Sequence, residues 1–175
     1  YFFYNGPDYT YEDLDGNTAE TTVAADIAAG KGMIVVSSAG NEGNRSWQYI
    51  TPPSDGDSVI AVGAVTMNNN LWQSSSIGPT YDGRIKPDVV AMGVGVTTIN
   101  PDRKSGSKYL WVSGTSTSSP QVAGVCAMVL EAHPELGPMQ VRDAIRETAD
   151  KTLDPGNEYG WGLVNAYEAI FYHGM

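Results

Sequence analysis

A serine at the junction of a predicted strand and a predicted helix is the strongest sign of chemistry in this sequence. Ser116 lies in the segment 114–124, GTSTSSPQVAG, where a short apolar run ends in small residues and a long helix begins. Unpaired backbone amides and the positive end of the helix dipole converge at such a junction, which stabilises an oxyanion developing beside the hydroxyl. The alternative is that Ser116 only caps the helix, because serine is a preferred cap residue.

The elements that must position this serine alternate between helices and short strands. The pattern predicts helices at 18–29, 116–133, 138–150 and 165–170, and strands at 33–38, 59–66, 88–91, 94–99 and 109–113. The run 33–38 is β-branched without polar alternation, which is typical of a strand covered on both faces in a parallel sheet. The order of elements predicts an α/β sandwich with a mainly parallel sheet.

Length and composition favour one folded domain. The chain has 175 residues, enough to bury a core without disulfides or metals. Residues 1–17 are rich in aromatics and acids, lack basic residues and contain turn signals, so they are predicted to be a surface loop excursion before the domain at 18–175. The single cysteine, Cys126, lies on the apolar stripe of the helix 116–133 and is predicted to be a buried small hydrophobe.

Charge and motifs exclude several classes of partner. The net charge of −10 argues against binding to nucleic acid or to an anionic membrane, and the apolar runs are too short to span a bilayer. No phosphate-binding glycine motif follows a predicted strand, which argues against nucleotide binding. The segment 13–17 begins like a calcium loop, but Ala24 stands where the closing acid belongs. No cofactor is therefore expected to be required, and a structural calcium ion stays an open alternative that no complete motif supports.

Four segments in order resemble motifs of the subtilisin-like serine peptidases, the subtilases. The segments are 38–43 (SAGNEG), 58–65 (SVIAVGAV), 114–124 and 159–166 (YGWGLVNA). They are similar to the oxyanion-hole segment, the strand after it, the serine signature and the end of the catalytic domain, respectively. The resemblance covers about residues 18–170. It implies the C-terminal part of a subtilisin-like catalytic domain, a three-layer sandwich incomplete at its N-terminal side.

The resemblance also implies roles for individual residues. Ser116 would be the nucleophile, its backbone amide one oxyanion donor, and the side-chain amide of Asn41 the other. Without the resemblance, Asn41 is predicted to be a turn residue that accommodates an unusual backbone angle. Substrate binding is implied for six residues: Ser38, Ala39, Gly40, Thr51, Gly114 and Thr115. Pro52–Pro53, at the far side of the substrate pocket, is a candidate for a cis peptide bond.

Some positions depart from the family pattern. Gln121 stands where many members carry histidine, and Met92 where the family usually has proline; neither is a catalytic position. Nothing in residues 1–40 resembles the Asp or His motif of the catalytic triad. His133 lies about 25 Å from Ser116 by helix rise, and His173 is three residues from the end of the sequence. The chain alone is therefore predicted to be inactive.

These observations predict the following function. The intact parent is expected to be a serine endopeptidase acting on peptides or proteins, completed by the N-terminal part of its catalytic domain upstream of Tyr1. The alternative is a non-catalytic pseudopeptidase or protein-interaction module with the same fold. The resemblance implies an extracellular or cell-envelope location. A strand upstream of Tyr1 would lie beside 33–38, so the isolated chain is expected to self-associate through an exposed sheet edge.

Overall fold

The computed structural model describes residues 8–102, 104 and 106–172. A short 3-10 helix at Tyr11–Asp13 precedes the main elements. The helices are α1 (Glu20–Gly30), α2 (Thr115–Ala132), α3 (Pro138–Glu147) and α4 (Ala166–Ile170). The strands are β1 (Val35–Ser38), β2 (Val59–Val65), β3 (Val89–Met92), β4 (Val96–Ile99) and β5 (Tyr109–Val112). Every helix and strand predicted from the sequence is present, with bounds that differ by up to three residues.

The parallel sheet has the order β1-β2-β3 in the described part of the chain. Val35 pairs with Val59 across β1 and β2, and Val62 pairs with Val89 across β2 and β3. Strands β4 and β5 form a separate antiparallel hairpin. The prediction of an α/β fold with a mainly parallel sheet is confirmed.

The main core lies between the sheet and α2. Alternate residues of β2, Ile60 and Val62, face this core, while Val59 and Ala61 are fully buried on the other face of the strand. Helix α2 contributes apolar residues at i, i+3, i+4 and i+7 spacing, which places them on one face: Val122, Val125, Cys126 and Val129. Each fully buried valine or isoleucine contributes about 1.5–3 kcal/mol relative to an exposed one.

Cys126 is the small buried hydrophobe that its place in the sequence predicts. Its side chain belongs to the core between α2 and the sheet. Burial raises the pKa of the Cys126 thiol to about 12. The thiol is therefore neutral at physiological pH and does not act as a second nucleophile.

Helix α1 packs beside β1 and β2. The carboxylate of Asp26 in this helix accepts hydrogen bonds from the backbone N–H groups of Asp57, at 3.1 Å, and Ser58, at 2.7 Å. These two residues lead directly into β2. Asp26 therefore fixes the start of the central strand to the helix beside it.

Two expectations differ from the structure. The residues of β1 are half-buried rather than covered on both faces, because β1 lies at one edge of the sheet as far as the structure describes the chain. Within the predicted surface excursion, Leu14 is fully buried beside Ala39 and Ile50. The 3-10 turn before Leu14 directs this one aliphatic side chain inward, where Tyr11 and Tyr49 cover it.

Three X-Pro peptide bonds among the described residues are cis. The predicted cis bond at Pro52–Pro53 is present, and the bonds Gly78–Pro79 and Lys86–Pro87 are also cis. Among the described residues, no helix combines the length and the apolar character needed to cross a bilayer.

Candidate active site

Ser116 and Asn41 meet at the C-terminal edge of the parallel sheet. Asn41 lies three residues after the end of β1, and Ser116 is the second residue of α2. A methyl group placed on Gly114 would lie 3.0 Å from Ser116 Oγ and 3.7 Å from both Asn41 Nδ2 and Oδ1. The Ser116 hydroxyl and the Asn41 amide therefore lie close together on the same side of Gly114. Both Ser116 and Asn41 are exposed.

Hydrogen bonds fix the orientation of the Asn41 amide. Asn41 Oδ1 accepts a bond from the backbone N–H of Thr115 at 2.9 Å. A backbone N–H can only donate, so the atom that faces it is the amide oxygen. Among the described residues, none accepts a hydrogen bond from Asn41 Nδ2. The amide nitrogen is therefore free to donate into the space beside Gly114.

Thr115 connects the loop after β1 to the start of α2. Its hydroxyl accepts a bond from Gly40 N at 3.2 Å. The same hydroxyl lies 3.1 Å from Gly40 O and 3.0 Å from Asn41 Oδ1, and its single hydrogen is donated to one of them at a time. The Thr115 side chain is fully buried. Thr115 therefore holds Asn41 in place and is not exposed to a substrate.

The other residues expected to bind substrate lie around Gly40. Thr51 N donates to Ala39 O at 2.9 Å, which brings Thr51 beside the loop after β1. A methyl group on Gly40 would lie 2.8 Å from Thr51 Oγ1, and Gly40 has a φ of 114°, so only glycine fits here. Ala39 and Gly40 are buried, whereas Ser38 is half-buried at the end of β1.

Ser76 is a supporting residue that sequence reasoning missed. It is buried, donates its backbone N–H to Gly40 O at 3.0 Å, and accepts a bond from Glu42 N at 3.0 Å through its hydroxyl. It thus holds the backbone on both sides of Asn41. The sequence offers no motif for it, only a run of three serines in a loop.

The two departures from the family pattern contact each other. Gln121 Nε2 donates a hydrogen bond to Met92 O at 2.6 Å and a second to Thr117 O at 2.7 Å. The acceptor is a backbone carbonyl group, which a proline at position 92 would also provide. The bond therefore depends on the side-chain amide of Gln121. Gln121 therefore connects the first turns of α2 to the end of β3.

No histidine near Ser116 lies among the residues that the structure describes. His133 follows the last residue of α2, at the opposite end of the helix, about 25 Å from Ser116 by helix rise. Its Nε2 lies 2.8 Å from Ile170 O. His133 is the one histidine in 8–102, 104 and 106–172, and His173 lies outside the described residues.

In the segment 13–17, which begins like a calcium loop, the Asp15 carboxylate binds groups of the turn that follows it. Asp15 Oδ1 accepts bonds from the backbone N–H groups of Asn17 and Thr18, each at 2.8 Å, and Oδ2 accepts a bond from the Thr18 hydroxyl at 2.9 Å. The bond from Asn17 is the main cause that lowers the pKa of Asp15, with Thr18 adding to it. In the part of the chain that the structure covers, no group of three or more His, Cys, Asp or Glu could hold a metal ion.

The family model described as the subtilase family matches residues 6–162. The chain belongs to the subtilase family. Subtilisin DY of Bacillus licheniformis is 38% identical over 168 residues, covering 94% of this chain and 57% of that protein. Serine protease AprX of Bacillus subtilis strain 168 is 34% identical, covering 84% of this chain and 37% of that protein. The subtilase chain thus spans 37–57% of the length of these two relatives.

A solved subtilase-like structure confirms the fold. The self-cleaved protease domain of PatA superposes with a TM-score of 0.68 and 24% identity. The match covers 85% of this chain and 52% of that one. The predicted subtilisin-like fold is therefore confirmed for this subtilase.

Proposed function

We propose that this subtilase chain is part of a serine endopeptidase that hydrolyses peptide bonds by acyl transfer. Ser116 is the nucleophile, and the Ser116 N–H and Asn41 Nδ2 donate to the oxyanion. One observation carries this proposal: the Ser116 hydroxyl and the Asn41 side-chain amide are both exposed and lie on the same side of Gly114, 3.0 and 3.7 Å from the position that its Cβ would occupy. Thr115 holds Asn41 Oδ1, so the amide presents its nitrogen as a donor.

The geometry suggests the following course of reaction. A peptide carbonyl enters beside Gly114, and Ser116 Oγ forms a bond to its carbon while the carbonyl electron pair moves to oxygen. The Ser116 proton passes to a histidine that is oriented by an aspartate. Both residues of this pair are proposed to lie outside the described residues. The resulting oxyanion accepts hydrogen bonds from Asn41 and the Ser116 amide. The C–N bond then breaks, the amine takes the proton, and water releases the acyl group.

Substrate recognition is proposed for the residues beside Asn41. Ser38, Ala39 and Gly40 directly precede Asn41, and Thr51 lies against Gly40. Ala39 and Gly40 are buried and small, and their backbone N–H and C=O groups already hydrogen-bond within the protein, so they limit the shape of the site. The proposed substrate is a peptide or protein segment, as the resemblance to the family implies.

A serine-reactive fluorophosphonate probe tests the proposal. The longer protein that carries this chain should be labelled stoichiometrically and should cleave an unstructured protein substrate, and Ser116→Ala should lose both properties. Ser113→Ala is the matched control, because Ser113 is exposed and lies three residues before Ser116. The 175-residue chain alone should resist the probe, since none of its described residues places an imidazole near Ser116.

The outcomes of this experiment separate the candidate functions. A longer protein that neither reacts with the probe nor cleaves substrate would support the alternative, a non-catalytic pseudopeptidase or interaction module. Rapid labelling of the 175-residue chain at Ser116 would contradict the proposal that the base lies elsewhere. Labelling that survives Ser116→Ala would remove Ser116 as the nucleophile.

The partner proposed for β1 is the N-terminal part of the catalytic domain, with self-association when that part is missing. A charge on an edge strand opposes pairing, so Ser37→Lys in β1 should reduce self-association of the 175-residue chain in sedimentation. Thr21→Lys, an exposed position on α1, adds the same charge away from the edge and should change nothing. Equal behaviour of the two variants, or a monomer at all concentrations, would contradict this proposal.

The proposed location is extracellular or at the cell envelope. It rests on the resemblance to the family, and the acidic net charge of −10 is compatible with it. Fractionation of cells that express the whole protein, followed by immunodetection, tests this location. Recovery in the cytoplasmic fraction alone would contradict it.

A further inference from the structure

Side chains from the start of α2 bind the C-terminal end of β3. Three consecutive backbone carbonyl groups of that end, at residues 91–93, each lie within hydrogen-bond distance of a donor on a different side chain of α2. The bonds are Ser118 Oγ to Ala91 O at 3.1 Å, Gln121 Nε2 to Met92 O at 2.6 Å and Thr117 Oγ1 to Gly93 O at 3.3 Å. The helix start is thus fixed to the strand at three points.

These three side chains are not explained by the serine signature. The signature residues of the segment 114–124 are GTS, SP and VAG, and they leave out positions 117, 118 and 121. All three of these positions hold polar side chains that bind β3. Ser118 is fully buried, so its hydroxyl would be costly to keep without its partner.

The Thr117 hydroxyl has a second acceptor within reach. It lies 2.8 Å from Gly114 O, nearer than Gly93 O, and donates its single hydrogen to one of the two at a time. The backbone N–H of Thr117 donates to Gly114 O at 3.0 Å. In a planar trans peptide, the C=O of Gly114 and the N–H of Thr115 point in opposite directions. When Thr117 holds the carbonyl on one side, the N–H on the other side is aimed at Asn41 Oδ1, 2.9 Å away.

We propose that Thr117 is a positioning residue for the oxyanion hole, acting through the Gly114–Thr115 peptide on Asn41. Ser118 and Gln121 support it by holding the helix start against β3. Thr117 is not a catalytic residue, because its hydroxyl is directed at the Gly114 and Gly93 carbonyl groups. This inference rests on the proposed function, because the orientation of Asn41 matters for catalysis only if Asn41 donates to the oxyanion.

Amide hydrogen exchange tests the structural half of this proposal without requiring activity. Thr117→Val removes the hydroxyl at nearly constant volume, and Thr117→Ser keeps it. In the protein that carries this chain, the Thr115 amide should exchange at least about ten-fold faster in Thr117→Val and as in wild type in Thr117→Ser. Thr148→Val is the matched control, because Thr148 donates a similar bond to Ala144 O, at 2.7 Å, in α3.

Kinetics test the functional half. In the active longer protein, Thr117→Val should lower kcat about ten-fold with KM within two-fold of wild type, and Thr117→Ser should restore kcat. When Asn41 is already Leu, Thr117→Val should cost less than about two-fold, because its effect passes through Asn41. Thr148→Val should leave kcat unchanged in both backgrounds.

Different outcomes overturn different statements. An equal loss of kcat from Thr117→Val with and without Asn41 would make Thr117 a merely structural residue. An unchanged Thr115 exchange rate in Thr117→Val would also overturn the positioning role, whether or not the protein is active. A wild-type protein that does not react with the fluorophosphonate would instead refute the proposed function, and Thr115 exchange would still decide the role of Thr117.

Discussion

At its C-terminal end, β3 offers carbonyl groups to neutral hydroxyl and amide donors, whereas its N-terminal end begins beside buried charges. Asp88 directly precedes β3 and is completely buried. Its Oδ2 accepts bonds from Ala61 N at 2.6 Å and Lys86 Nζ at 2.9 Å, and its Oδ1 is paired with Arg146, whose Nε lies 2.7 Å away. Lys86 is 1% exposed and also donates to Val59 O at 2.7 Å.

The charges of this buried cluster hold Asp88 in its ionised form. Burial by itself would raise the pKa of Asp88, but the adjacent Lys86 and Arg146 cations outweigh that effect and lower it. Both Asp88 oxygens are occupied, so the cluster has a structural role in joining β2, β3 and α3. At the opposite end, Ser116 and Asn41 are both exposed. The N-terminal end of β3 therefore contributes mainly to stability, whereas the C-terminal end lies beside the proposed catalytic residues.

Removal of Asp88 should produce the largest loss of stability. Asp88→Ala leaves two cations without their partner in a buried site, which costs about 3–5 kcal/mol in the free energy of unfolding. Urea unfolding of Asp88→Ala against Asp154→Ala, an exposed acid in a turn, measures this difference. A loss below about 1 kcal/mol would mean that the buried charges do not carry the stability of this end.

Removal of the Asn41 amide should have a large effect on kcat and a small effect on stability. Asn41→Leu should lower kcat of the active longer protein about 100-fold, equivalent to about 2.7 kcal/mol, a size taken from the corresponding donor of subtilisin. The lost bond from Thr115 costs only about 1 kcal/mol of stability. Asn44→Leu, at an exposed turn position three residues on, is the control. An unchanged kcat in Asn41→Leu would remove Asn41 from the oxyanion hole.

Acid should weaken the buried end through Asp88. Its pKa is lower in the folded than in the unfolded chain, so its contribution is complete above the ordinary value of 3.8 and is lost as pH falls through the folded value. The stability difference between wild type and Asp88→Asn should therefore shrink as pH falls below about 4. Urea unfolding between about pH 6 and 2.5 measures it, and a constant difference would contradict the lowered pKa.

The smallest effect is expected from a neutral bond at the C-terminal end. Ser118→Ala removes one hydroxyl bond to Ala91 O and should cost about 0.5–1.5 kcal/mol. Measured in the same urea experiment, this loss should be well below that of Asp88→Ala. A loss as large as that of Asp88→Ala would erase the proposed contrast between the two ends of β3.

Much of the fold was predictable because it depends on local patterns. The spacing of Val122, Cys126 and Val129 defines the buried face of α2 from the sequence, and seven consecutive apolar or small residues define β2. The position of Ser116 at the start of a helix follows from small residues after a strand. The half-buried state of β1 was not predictable, because its cover depends on which strands are its neighbours.

The sequence by itself determined family, order of elements and the serine at a helix start, because each depends on residues close together in the chain. Only the tertiary structure decided which way the Asn41 amide faces, because its partner Thr115 is 74 residues away. It likewise decided that Leu14 is buried and that Arg146 pairs with Asp88 across 58 residues. Such contacts arise when packing brings distant segments of the chain together, and no local pattern encodes them.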